Sequence, residues 1–312
     1  MAKDPLVPSA ADPQVARRRK FLFVVCFVAL VATSFAFGIR AQIIGDLQIE
    51  FSLTETQKGE ILGAGLWPFG ISIVVFSLVL DRIGYTIGMW FAFACHAVST
   101  VMTIYATGYE MLYWGTFICA LGNGTVEAVI NPAVASMYPK KKTTMLTVLH
   151  AGWPMGIVIS SIIAILMGGA FSWQMKVGLI LIPTIVYGLM LLRAHFPVHE
   201  RVAAGVSYRE MLGEAGALGI LIASYMVIME LNRVFDMGTL WQGAFLALPS
   251  LPMTILLAVI VLGYLAYTRS LGRPMYVFLL LLMIILAITE LGTDAWIKEL
   301  MKPSMQKVGI DA

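Results

Sequence analysis

Residues able to do chemistry concentrate in the stretch LGNGTVEAVINPAVASMYPKKKTTMLTVLHAGWPMG, Leu121 to Gly156, which joins two apolar runs through a basic turn. Glu127 and Asn131 are four apart and share a face if the run is helical. A carboxylate inside an apolar run is costly unless it faces protein or water, so Glu127 is a candidate for solute binding or ion coupling. Drying favours the neutral acid and wetting the anion, and such a group can couple proton uptake to a change of access. Its plainer reading is a structural tie to a donor such as His150. Asn131 suits hydrogen bonding to a polar solute, and Pro132 frees a carbonyl about one turn earlier. Gly122 and Gly124 allow a neighbouring helix to approach closely. Beyond Lys140, Lys141 and Lys142, His150 and Trp153 are candidate lining groups, while Gly152 and Pro154 bend the chain.

Two charges stand apart from this cluster. Arg40 closes the first apolar run, as an arginine snorkelling to the interface or as a cation lining a cavity. Asp294 lies in the last run, near Glu290. Setting Phe37 to Ile43 against Leu291 to Ile297 superposes Gly, Ala and Ile and brings Arg40 opposite Asp294. That layout suits parallel repeats and an ion-pair gate, or charge recognition. His96, alone in the third run, reads as a packed histidine hydrogen-bonded to a neighbour. His195 and His199 are four apart, but Pro197 between them disfavours a helical metal pair. There is no nucleophile elbow, phosphate loop or paired-histidine motif. The sequence therefore predicts no enzyme, no catalytic residue, no metal and no cofactor. Cys26, Cys95 and Cys119 fall in apolar runs and give no disulfide framework.

The elements that position these residues are membrane spans. With 59% hydrophobic and 12% charged residues and a mean hydropathy of +0.86, a soluble domain is excluded. Apolar runs near 21–43, 59–80, 86–107, 111–137, 144–169, 176–193, 215–231, 244–267 and 275–297 give nine candidate spans. Gly63, Gly65, Trp67, Pro68 and Gly70 predict a close-packed or bent second span. Placing the N-terminus in the cytoplasm collects 14 of the 21 Lys and Arg there, so the expectation is a multi-pass protein of the inner or plasma membrane with that orientation. The lipid bilayer is its environment, and the net charge of +3 needs no nucleic-acid partner. Residues 1–16 read as a disordered tail.

After the second run, Ser77 to Tyr85 resembles the loop between the second and third helices of major facilitator superfamily transporters, G-x-L-x-D-R-x-G-R-R/K. Asp81, Arg82 and Gly84 match it; Ser77 stands for the family's Gly, and Tyr85 and Thr86 for its basic pair. The resemblance implies a gating loop at Asp81, Arg82 and Gly84. Gly122, Gly124, Glu127, Asn131 and Pro132 form G-x-G-x-x-E-x-x-x-N-P, similar to the fourth helix of the fucose and glucose/galactose permease branch, where the glutamate serves proton coupling and sugar binding. That branch has an acidic residue in its first helix, where Arg40 and Ala41 stand here, which points toward a substrate bearing negative charge.

The resemblance implies an all-α polytopic membrane protein with an N-terminal six-helix bundle and about three further helices, an incomplete version of the family fold. In this reading 1–20 is a cytoplasmic tail, 21–195 the six-helix transporter bundle and 196–214 a cytoplasmic linker. Residues 215–267 are an inserted helix pair, and 275–312 the first helix of the C-terminal bundle with an external tail. The chain then reads as C-terminally truncated, the missing half being expected in the full-length protein. The implied function is transport of a small polar solute, a sugar or related metabolite, by alternating access, with a proton as the candidate coupled ion. The alternative is a non-transporting sensor or assembly protein built on the same bundle.

Overall fold

The computed structural model describes residues 13–197, 202, 204–243 and 246–307; the side chains of 287, 288, 291–300, 302, 303 and 305–307 lie outside that description. The chain separates into two compact units, Met1–Ala203 with Thr293–Ala312, and Ala204–Gly292.

The first unit is helical. Helix α1, Pro13–Phe51, is 39 residues long, about 58 Å at 1.5 Å per residue, and so exceeds a bilayer's hydrocarbon thickness. Residues 13–16, expected to belong to the tail, open this helix, because proline at a first helical position gives up only an N–H that has no partner there. Helix α2, Glu55–Gly63, starts at a reciprocal Thr54/Gln57 capping box. Three turn residues separate it from α3, Trp67–Ile83, with Pro68 in the first turn, so the second span bends where its glycines and proline predict. Gly84 alone joins α3 to α4, Tyr85–Ile104; its φ of 81° is one that side chains other than hydrogen rarely tolerate.

Helix α5, Tyr109–Met137, contains Pro132. The fifth span breaks at Ala151 into α6, Lys142–His150, and α7, Gly152–Met167, followed by a 3₁₀ turn at Gly168–Ala170. The sixth is α8, Trp173–Gly178, and α9, Leu181–Leu191.

The second unit opens with α10, Tyr208–Val234, capped by Ser207 and Glu210 and broken at Gly216. Strands β1, Thr239–Gln242, and β2, Ala247–Pro249, form an antiparallel hairpin. Asn232 fixes it to α10 by accepting from the Ser250 N–H at 2.9 Å. The eighth span, expected from 244, therefore begins later, as α11, Leu251–Thr268, with Pro252 in its first turn. Helix α12, Pro274–Lys307, carries the ninth apolar run, and its stretch Pro274–Leu286 lies within this unit. Among the described residues eight helical stretches are long and apolar enough to cross a membrane. The architecture is that of an all-α polytopic membrane protein, the hairpin being the one strand pair among the described residues.

The sequence's small residues decide where helices of the first unit cross. A Cβ on Gly124 would collide with the Phe69 carbonyl and come within 2.8 Å of Ser72 Cβ on α3. One on Gly122 would press into His96 and Cys95 on α4 at 2.8 and 2.9 Å. Two positions apart, these glycines face different neighbours, so α5 lies between α3 and α4. Gly38 and Gly156 do the same for α1 and α7, against Ser160 and Ser34. Such close approach supplies the packing that hydrophobicity cannot supply between helices in lipid. Val74, Val75, Ile162 and Ile165 remain exposed, as lipid-facing groups do.

Gly124→Ala is expected to cost about 1–3 kcal/mol through overpacking. Gly45→Ala, with nothing within 4 Å of the new methyl, should stay within about 0.5 kcal/mol of the parent. Thermal unfolding in detergent measures both; equal midpoints for Gly124→Ala and the parent would disprove the close α3–α5 crossing.

Candidate functional site

Helix α5 carries polar groups at two levels. Near its C-terminal end Glu127 is only 9% exposed. Its Oε2 accepts from Asn131 Nδ2 at 2.7 Å, and Asn131 Oδ1 lies 3.0 Å from His150 Nε2 at the end of α6. Both ends of the Asn131 amide are thus engaged within the protein. Because Oδ1 can only accept, Nε2 of His150 donates to it. The tie between Glu127 and His150 that the sequence allowed is present with Asn131 as its middle member, and the exposed imidazole marks its open end. Pro154 one turn on lacks an N–H, so the His150 carbonyl loses its helical partner where the span breaks.

Trp153, on the first turn of α7, packs on Phe37 of α1 at 6.0 Å and on Phe69 of α3 at 6.3 Å between ring centroids. Its indole Nε1 is buried without a hydrogen-bond partner among the described residues. Phe37 also borders a cavity of about 30 Å³ lined by Arg40, Ile44, Gly65 and Thr116.

Arg40 turns inward. Nη2 donates to Ser99 Oγ on α4 at 2.7 Å and Nη1 to Cys119 Sγ on α5 at 3.1 Å and to the Ala36 carbonyl one turn back at 3.4 Å, while Nε is buried and unpartnered. No carboxylate lies against the guanidinium among the described residues, and all three acceptors are neutral. Arg40 is one of the groups lining that small cavity. Arg40 is half-buried, and a charge drawn partly out of water with only neutral partners is costly, an arrangement that marks function more often than packing.

His96 fills the layer behind. It is 1% exposed, with Nε2 2.8 Å from Asn123 Oδ1 and Nδ1 2.9 Å from the Tyr187 hydroxyl on α9. Both ring nitrogens are satisfied, so the packed reading holds. Asn123 was open to sequence reasoning, lying between Gly122 and Gly124. Ser99, Cys119 and Tyr187 carry no such signal, being a hydroxyl, a thiol and an aromatic among many.

Asp81 and Arg82 occupy the last turn of α3, where a cation complements the helix dipole. Gly84 supplies the turn after them, and Leu80 packs at the Gly88 position of α4. Asp294 falls on α12 in the stretch whose side chains lie outside those described, and so does its pairing with Arg40.

A profile of the Major Facilitator Superfamily matches residues 19–295. The chain belongs to this superfamily. Among curated proteins, the hexuronate transporter of Bacillus subtilis (strain 168) is 26% identical over 171 residues, 54% of this chain and 40% of that protein. The cis,cis-muconate transport protein of Acinetobacter baylyi (strain ATCC 33305 / BD413 / ADP1) is 23% identical over 185 residues, 59% of this chain and 44% of that one. The chain thus spans less than half the length of these relatives. A solved bacterial homologue of the human drug peptide transporters PepT1 and PepT2 superposes with a TM-score of 0.48 at 13% identity, over 87% of this chain and 53% of that one.

Within this superfamily member, His96→Leu would leave the buried Tyr187 hydroxyl without its partner and Asn123 Oδ1 with only the long Cys119 Sγ contact, at about 1–3 kcal/mol each. The expected result is a marked fall in the thermal midpoint, partly restored by His96→Gln. A midpoint unchanged by His96→Leu would contradict the double hydrogen bond.

Proposed function

We propose that this protein takes part in moving a small polar solute bearing a carboxylate, a sugar acid or related metabolite, across a membrane by alternating access. The observation that carries the reading is the Arg40 guanidinium, held inside the first unit with neutral acceptors on Nη1 and Nη2 and a buried, unpartnered Nε. A carboxylate is the partner such a fork recognises best. Hexuronate and cis,cis-muconate, for which the two relatives are named, both carry that group. This reading keeps the negatively charged substrate that the sequence suggested and moves away from the neutral sugars of the fucose and glucose/galactose branch.

Glu127 is proposed as the proton-coupling carboxylate, with Asn131 and His150 positioning it, and Trp153 as a wall of the solute path. Asp81, Arg82 and Gly84 form the proposed gating turn. Arg40 and Asp294 are the proposed pair of a closable ion-pair gate on the external side. The N-terminus is taken as cytoplasmic and the membrane as the inner or plasma membrane.

Reconstituted in vesicles as the full-length protein, the transporter is expected to accumulate glucuronate. Arg40→Gln should reduce that uptake by 100-fold or more, on the order expected for removing a charged hydrogen-bonding partner. Glu127→Gln should abolish concentrative uptake while sparing exchange, and unchanged accumulation would remove its coupling role. Undiminished glucuronate uptake by Arg40→Gln would refute the carboxylate reading.

A further inference from the structure

The Arg40 guanidinium is held in a particular way. Ser99 Oγ accepts from Nη2 and passes its own proton to the Gly115 carbonyl on α5 at 2.6 Å. The hydroxyl's lone pairs are therefore turned toward the arginine, and its rotor is fixed. Gly115 can serve because it lacks a side chain; a Cβ there would sit 3.1 Å from Thr103 Oγ1. On the other side Nη1 is shared between Cys119 Sγ at 3.1 Å and the longer contact to the Ala36 carbonyl at 3.4 Å. That thiol lies one turn from Asn123, 3.9 Å from the oxygen that also receives His96 Nε2. His96 is anchored in turn by Tyr187. The chain of contacts runs through α1, α4, α5 and α9, and Ser99, His96 and Tyr187 are almost wholly buried.

Every acceptor in this chain is neutral. An aspartate at position 99 would hold the fork as well and cancel its charge. A hydroxyl and a thiol hold it and leave the charge unspent. They also occupy the two Nη groups, which leaves the Nε edge unused.

We infer that Ser99 and Cys119 are positioning residues of the solute site, which aim the Arg40 guanidinium without neutralising it so that its Nε edge meets one carboxylate of the solute. The His96, Asn123 and Tyr187 cluster is the brace that keeps α4 and α5 at the spacing this requires. The inference rests on the carboxylate reading for its purpose, while the aiming itself can be observed without solute.

The test uses the full-length protein with ¹⁵N-labelled arginine, the Arg40 signals being assigned by their loss in Arg40→Lys. The parent should show two distinct Nη resonances from a guanidinium that does not rotate freely. Ser99→Ala and Cys119→Ala should merge them and weaken glucuronate binding about tenfold each, the scale of one hydrogen bond to a charged group. Cys119→Ser, which keeps an acceptor, should behave as the parent. In the Arg40→Lys background, Ser99→Ala should add less than twofold, because the fork it aims is gone.

Unmerged resonances in both alanine variants would overturn the inference. A tenfold loss for Ser99→Ala that persists in Arg40→Lys would overturn it too, since Ser99 would then act through helix packing. If the parent binds no glucuronate while Ser99→Ala still frees the guanidinium, the aiming stands and the carboxylate reading falls.

Discussion

The structure of the first unit depends on the burial of α5. Lipid offers its backbone and side chains no hydrogen-bond partners, so a helix carrying Asn123, Glu127 and Asn131 is tolerable only when other helices enclose it. Enclosure requires neighbours close enough to reach those groups. Gly122 and Gly124 set that distance toward α4 and α3, and Ser72 of α3 then donates to the Leu121 carbonyl at 2.6 Å. Small residues and polar residues alternate along this helix because each kind makes the other possible.

Enclosure also explains why the neighbouring spans are broken and α5 is not. The second span turns at Ala64 to Leu66 and the fifth at Ala151, each beside glycine and proline. The break at Ala151 leaves His150 at the end of α6, beside Asn131 of α5, and Trp153 in the first turn of α7, against Phe37 of α1. The one proline of α5 is placed late, at Pro132, beyond the crossings that Gly122 and Gly124 make with α4 and α3.

Much of this was legible in the sequence, for identifiable reasons. The spans follow from apolar length, and the bends from Gly and Pro. The Glu127 and Asn131 contact follows from a spacing of four. What the sequence hid was direction and partnership. Arg40 sits where a snorkelling arginine would sit, and nothing in its own neighbourhood says that Ser99 and Cys119, 59 and 79 positions away, will turn it inward. The eighth span's start was misplaced because Phe245 to Leu248 is as apolar as a helix; Pro249 and Pro252 act only through backbone geometry. Tyr187 was invisible for the same reason as Ser99, since its role comes from the helix opposite.

The two polar levels raise the question of how a solute at Arg40 and a proton at Glu127 would sense each other. Cys119 and Glu127 are eight residues apart, about 12 Å along α5. Across that distance, at an effective dielectric constant of about 20, two unit charges interact by about 1.4 kcal/mol, a factor of ten. Driving a two-state equilibrium from 1:99 to 99:1 takes about 5.5 kcal/mol. Direct attraction between the levels is therefore several kcal/mol too weak to make coupling obligatory. In a coupled carrier of this geometry the change of access must carry the difference, by exposing Glu127 to water in one state and drying it in the other. Asn131 and His150 stand at the point where such a change would be felt, since the open end of their hydrogen-bonded chain is the exposed imidazole at the break of the fifth span.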